Sequence, residues 1–258
     1  MINLIDMNLF WKLFWTSTDR QGSFSLYSME HVLALSIILG IIIFLFIHRE
    51  KLKENHTRIK VGRIIASILF VQTFFLHFWF FQSGTFTLQE SLPLYLCRIT
   101  TILCIFMILK EDFSFFEIVY FWGLGGASQA LLTPDTGGFL FPHWIYIQFF
   151  ISHGGILISI FFMMIAYEYK PNFKSLKKTF KWSFIYLFIV WNINYFVNGN
   201  YSYLRNKPLT PTILDYLPAF PYYIPFMVMG MFFVFFILYI PFFVLGMKEK
   251  NLQKSINI

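Results

Sequence analysis

Seven long, nearly uninterrupted apolar runs constrain this chain more than any other feature. They fall at residues 30–48, 61–82, 92–109, 113–132, 144–167, 180–198 and 222–246. A helix of about 20 apolar residues crosses a bilayer core about 30 Å thick. Membrane barrels instead use segments of about 10 residues that alternate polar and apolar. Charged residues make up only 13% of the 258 residues, and aromatic ones 22%. Soluble domains carry roughly 25% charged residues. The expected fold class is therefore all-α: a polytopic integral membrane protein with about seven transmembrane helices. A disordered chain, a collagen-like chain and an ordinary soluble domain are excluded.

The basic residues predict the orientation. Arg49, Lys51, Lys53, Arg58, Lys60 and Arg63 follow the first run, and Lys110 follows the third. Lys170, Lys174, Lys177, Lys178 and Lys181 follow the fifth, and Lys248, Lys250 and Lys254 follow the last. With seven spans, these fifteen of the twenty basic residues share one side. Lys12, Arg20, Arg98, Arg205 and Lys207 take the other. The N-terminus is thus expected outside and the C-terminus in the cytoplasm. The net charge of +7 then sets topology and meets anionic lipid heads, with no call for nucleic acid. Residues 1–29 mix Asp6, Lys12, Asp19 and Arg20 with Phe10, Trp11, Phe14 and Trp15. They read as an interfacial amphipathic segment, not a signal peptide. Residues 30–246 form the transmembrane domain, and 247–258 a basic cytoplasmic tail.

Polar residues recur at one depth, near the expected outer ends of the spans. They include Glu30, His31, Gln72, His77, Cys97, Arg98, Gln129, Asp135, His143, Gln148, Ser152, His153, Asn192, Asn194 and Asn198. Cys97 and Arg98 are expected one to two turns inside the third span, and His153 about 13 Å below Trp144. Such groups cost several kcal/mol each in lipid unless they face partners or water. One polar chamber open to the outer leaflet accounts for all of them. Cys97, Thr101 and Cys104 share one helical stripe, and Gln148, Ser152, Gly155 and Ser159 another. Gly123, Gly125, Gly126, Gly154 and Gly155 permit close helix packing.

Familiar soluble chemistry is missing. The chain has no P-loop, GxGxxG or GxSxG motif, no zinc-type spacing of Cys and His, and no sign of a cofactor. Cys97 and Cys104 lie about 10 Å apart along a helix, too far to bridge.

Four runs stand in an order that resembles a known group. They are Leu92–Cys97 (LPLYLC), Gly123–Asp135 (GLGGASQALLTPD), Phe141–Gly154 (FPHWIYIQFFISHG) and the stretch from Asn194 (NYFVNGNYSYLRNKPLTPTILDYLPAFPYYI). Together they resemble the YwaF-like family of bacterial integral membrane proteins over nearly the whole chain. That family is similar, at greater distance, to the animal transmembrane protein 164, a phospholipid acyltransferase. The latter looks like lipid hydrolases that pair a membrane-embedded Thr with a His. The resemblance implies acyl-enzyme chemistry on membrane lipids, with phospholipids among the candidate substrates, and does not identify the substrate. It departs at two points. Tyr95 stands where the family run usually has His. The proposed nucleophilic Cys of the animal relative directly follows the proline, whereas here Leu94 follows Pro93 and Cys97 comes three residues later. His153 fits the family's His-Gly element without a shift.

The candidate catalytic residues are His153 and Cys97. A neutral imidazole takes a proton from a nucleophile and returns it to a leaving group. Cys97 is the candidate nucleophile, its thiolate favoured by Arg98 and a nearby His; Thr100 and Thr101 are alternatives. Arg98 suits a phosphate head group through its forked donors, or snorkels to the outer surface. Asp135, in Thr-Pro-Asp, either orients His153 or His143 or serves a turn. Asn194 and Asn198 donate to an oxyanion or join helices. Gln129 and His143 complete the expected substrate-binding set. The leading reading is a lipid acyltransferase or acyl hydrolase. The alternatives are a transporter, for which no internal repeat appears, and a ligand-binding protein without catalysis. Rich use of Phe, Ile, Lys and Asn points to a low-GC bacterium and its cell membrane.

Overall fold

The computed structural model describes residues 10–16, 18, 22, 24–208 and 213–256, the side chains of 213 and 248–256 excepted. Asp6, Asp19 and Arg20, and the side chains of Lys248, Lys250 and Lys254, therefore lie outside what is described. The described residues form helices without a strand. They are α1 (Met29–Ile47), α2 (Arg49–Lys53), α3 (Asn55–Gln82), α4 (Leu96–Lys110), α5 (Phe113–Leu132), α6 (Trp144–Ala166), α7 (Phe173–Val197) and α8 (Tyr223–Ile256). Short helical turns stand at Lys12–Thr16, Tyr201–Tyr203 and Ile213–Tyr216.

Short polar side chains set the helix starts. The Ser28 hydroxyl accepts from His31 N, and Asp112 accepts from Ser114 N. Asn172 and Ser175 form a reciprocal capping box at α7. These caps correct two readings. The lysines expected in a loop after the fifth run mostly ride on α7, because the box starts that helix at Phe173. Pro93 disfavours helix at Leu92, and the extended backbone of Tyr95 as the N-cap sets the start of α4 at Leu96. Cys97 and Arg98 thus occupy the first turn of α4, not a deeper one. Pro241 does not end α8, which runs on to Ile256.

Helices α4, α5 and α6 form the centre. Helices α1 and α3 pack on α6, while α7 and α8 pack on α5. Glycines set the closest approaches. A Cβ on Gly123 would lie 2.6 Å from Ile156 and Ile160, one on Gly154 2.6 Å from Ile38, and one on Gly155 2.5 Å from Leu69. Among the described residues, four helices are long and apolar enough to span a membrane: α1, α3, α6 and the Tyr223–Met247 part of α8. The most apolar 18-residue stretch of α6 is 61% buried, against 11% in α1 and 6% in α8. The outer helices therefore present apolar faces, such as Leu39 and Phe46 on α1 and Phe233 and Ile240 on α8. Lipid covers such faces; water would not tolerate them.

Contacts between successive connections assign the two ends of the bundle. At one end Lys53 pairs with Glu168, the Tyr169 hydroxyl donates to Glu111 O, and Arg58 lies over the Tyr167 ring. This is the basic end. At the other, His31 Nε2–H donates to Leu131 O at 2.8 Å, and the Trp15 indole donates to Gln82. This is the polar end. Trp15 packs there against Phe75, Phe78 and Trp144, so Phe10–Thr16 lies over the ends of α3 and α6.

Candidate functional site

The two stripes read from the sequence face each other. Thr101 Oγ1 lies 3.0 Å from Ser152 Oγ, joining α4 to α6. Thr101 donates its proton to Cys97 O at 2.9 Å. The Ser152 hydroxyl is therefore the donor between the two side chains. Thr100 likewise donates to Leu96 O. Both threonines spend their protons on their own helix. Cys97 is half-buried one turn nearer the polar end, and a Cβ on Gly126 would lie 3.5 Å from its Sγ. Gly126 thus leaves the room that the thiol occupies between α4 and α5.

His153 follows Ser152 and is half-buried. Its Nδ1 lies 2.8 Å from Phe149 O, and the two rings are 4.2 Å apart. A carbonyl only accepts, so Nδ1 carries the proton and Nε2 presents a lone pair. That is the tautomer a general base needs.

The Arg98 guanidinium is held by backbone carbonyls of the preceding connection. Its Nη1 donates to Glu90 O at 2.8 Å and to Leu92 O at 3.0 Å. The guanidinium stands 4.9 Å from the Tyr95 ring centre and 5.4 Å from that of Phe80. It ties the 83–95 connection to the first turn of α4. The sequence offered head-group binding or snorkelling and did not foresee this tether.

The remaining candidates take structural positions. The Asn194 amide is fully buried, accepting from Tyr201 N at 2.8 Å and donating to Tyr201 O at 3.0 Å. Both its polar atoms are spent on the backbone. Asn198 ends α7 in the left-handed region, and its Oδ1 accepts from Arg205. The joining role suits both, though they join a helix to a turn rather than two helices. His143 is fully buried and stacked on Phe139; its Nδ1 accepts from Ile145 N, so it caps α6. Asp135 is exposed, and its Oδ1 accepts from Gly137 N, which is turn chemistry. Gln129 is exposed near the end of α5.

Two groups escaped the sequence reading. Four tyrosines gather around the start of α4. Tyr186 donates to Leu94 O and bonds Ser202 Oγ. The Tyr201 ring lies 5.1 Å from Tyr95, and that of Tyr203 6.4 Å. The signal was a buried polar stripe on α7: Ser175, Thr179, Ser183, Tyr186 and Asn194, spaced at 4, 4, 3 and 8 residues. The second group is at the basic end, where Glu117 accepts from Ser175 Oγ and pairs with Lys178 at 2.7 Å. Of five buried side-chain polar atoms without a partner among the described residues, four belong to Gln72, Thr136, Trp144 and Tyr146 in the polar half. Buried polar groups are nearly always satisfied, so that half suits a polar guest.

The fold and this cluster define an α-helical membrane protein whose polar side chains gather at one end of the bundle. The model of the TMEM164 family matches residues 26–239, and the chain belongs to that family. No curated protein and no solved structure matches it.

Proposed function

We propose that this protein is a membrane-embedded lipid acyltransferase or acyl hydrolase, acting at the polar end of the bundle with membrane phospholipids as substrates. The observation that carries the reading is the tautomer of His153, set by Phe149 O, one residue from the Thr101–Ser152 contact. His153 Nε2 takes the Cys97 thiol proton as sulfur attacks the ester carbonyl of an acyl lipid. The ester C–O bond breaks, and the proton passes from His153 to the departing lipid alcohol. The resulting thioester is then opened by an acceptor hydroxyl, giving transfer, or by water, giving hydrolysis. Thr100 or Thr101 is the alternative nucleophile, less suited because each already donates to its own helix. Arg98 holds the connection at the mouth of the site and faces the lipid phosphate. Asp135, Gln129, His143, Asn194 and Asn198 shape that mouth rather than react.

The same reading keeps seven spans in a bacterial cytoplasmic membrane, with residues 1–29 at the outer interface and 247–258 in the cytoplasm. It places the chain in the YwaF-like bacterial branch of its family. The distribution of Lys and Arg supports this orientation. Exposing the purified protein to a thiol-reactive or fluorophosphonate lipid probe tests the chemistry. Labelling at Cys97 that disappears in folded His153→Ala supports the pair. Labelling at Thr100 or Thr101 moves the nucleophile. Folded Cys97→Ala and His153→Ala variants that label like wild type overturn the reading in favour of a non-catalytic ligand-binding protein.

A further inference from the structure

We propose a second lipid site, at the basic end and apart from the reacting groups: an exposed basic face of α3 that holds the head group of an anionic phospholipid. This face carries His56, Lys60, Arg63 and Ser67, with Ile64 and Ile68 beside them. The four polar residues recur at i, i+4, i+7 and i+11, which is one helical stripe. All four are exposed, whereas α3 buries Gly62, Ile65, Leu69 and Gln72 against the bundle. The stripe therefore faces away from the protein, toward lipid.

The surrounding charges are unevenly committed. Six basic residues lie between 49 and 63. Arg49 pairs with Glu50, and Lys53 with Glu50 and Glu168. Arg58 donates to Asn55 and covers the Tyr167 ring at 4.4 Å. Among the described residues, Lys60 and Arg63 form no ion pair. Lys51 and Arg58 also lack a carboxylate, but Lys60 and Arg63 are the two that stand on this stripe. Arg63 stands about 12 Å along the helix from Asn55, where the apolar stretch of α3 begins. Ile64 and Ile68, 51% and 52% exposed, continue the face into the membrane. A forked guanidinium and an ammonium over an apolar lane match a phosphodiester carrying acyl chains. Free phosphate has nothing to lay on Ile64 and Ile68. A zwitterionic head group brings its own cation, so the surplus charge selects an anionic lipid.

Native mass spectrometry of the intact chain, with phosphatidylglycerol and phosphatidylcholine of identical acyl chains, tests this. The expected result is preferential retention of phosphatidylglycerol, reduced on the order of tenfold in Lys60→Gln/Arg63→Gln. Both side chains are exposed, and the charge-reversed Arg63→Glu is a second variant that must also lose the lipid. Retention unchanged in these variants overturns the site. Equal loss in Lys110→Gln/Lys177→Gln, which alters basic residues elsewhere, reduces it to diffuse attraction and also overturns it. Displacement of the lipid by inorganic phosphate at similar concentration overturns the assignment to a lipid. A wild-type preference that persists in Cys97→Ala separates this site from the acyl chemistry.

Discussion

Gly123→Ala tests the closest packing in the bundle. A Cβ there would sit 2.6 Å from both Ile156 Cγ2 and Ile160 Cδ1. Favourable carbon contacts lie at about 3.5–4.0 Å, so the new methyl must gain roughly 1 Å on two sides. Ile156 and Ile160 are fully buried, so neither side chain swings away freely. Helices α5 and α6 must separate or the isoleucines must leave their rotamers, at a cost of about 1–3 kcal/mol. Replacing a helical glycine by alanine returns about 0.5–1 kcal/mol of backbone entropy. The net expectation is a loss of about 0.5–2 kcal/mol. Gly40→Ala is the matched control, because a Cβ there meets nothing within 4 Å; it should stabilise the protein slightly. Reversible unfolding in mixed detergent micelles, followed by tryptophan fluorescence, gives both values. Equal stability of the two variants would refute the packing argument.

The catalytic reading predicts that His153→Asn lowers lipid-probe labelling on the order of 100-fold or more, with unchanged elution in size-exclusion chromatography. Asn194→Ala strands the Tyr201 N–H and C=O in a fully buried place and should cost about 2–4 kcal/mol in the same unfolding assay. Glu117→Gln should cost about 1–3 kcal/mol, less than for a fully buried pair, because the Lys178 side chain is 28% exposed. Glu117→Gln/Lys178→Met should recover part of that loss, and a double-mutant cycle without coupling would contradict the pair.

Most of the helices were legible because a membrane span declares itself by continuous apolarity. Their ends were less so. Apolarity does not distinguish Leu92–Leu94, which precedes the helix, from Leu96 onward, which belongs to it. Nor does it register Asn172 and Ser175, which start α7 well before its apolar part. Spacing put Thr101 and Ser152 each on a polar stripe of its own helix, since residues at i and i+4 share a face, but that the two stripes meet is a matter of tertiary packing. The tether of Arg98 had no such signal, because its partners are backbone carbonyls of a connection with no periodicity. Glu117 was hidden for another reason. One carboxylate barely alters the apolarity of its run, and Lys178, its partner, was counted toward topology rather than pairing.

Tyr201 works as a mechanical link. Its backbone is gripped by Asn194 near the end of α7, while its hydroxyl donates to Leu88 O and accepts from Leu92 N. Leu92 O is in turn held by Arg98. The end of α7 and the start of α4 therefore shift together. Helix α7 sits on the flank of the bundle, where the pressure and thickness of the surrounding bilayer act. A displacement of the end of α7 is therefore passed through Tyr201 to the turn that carries Cys97 and Arg98.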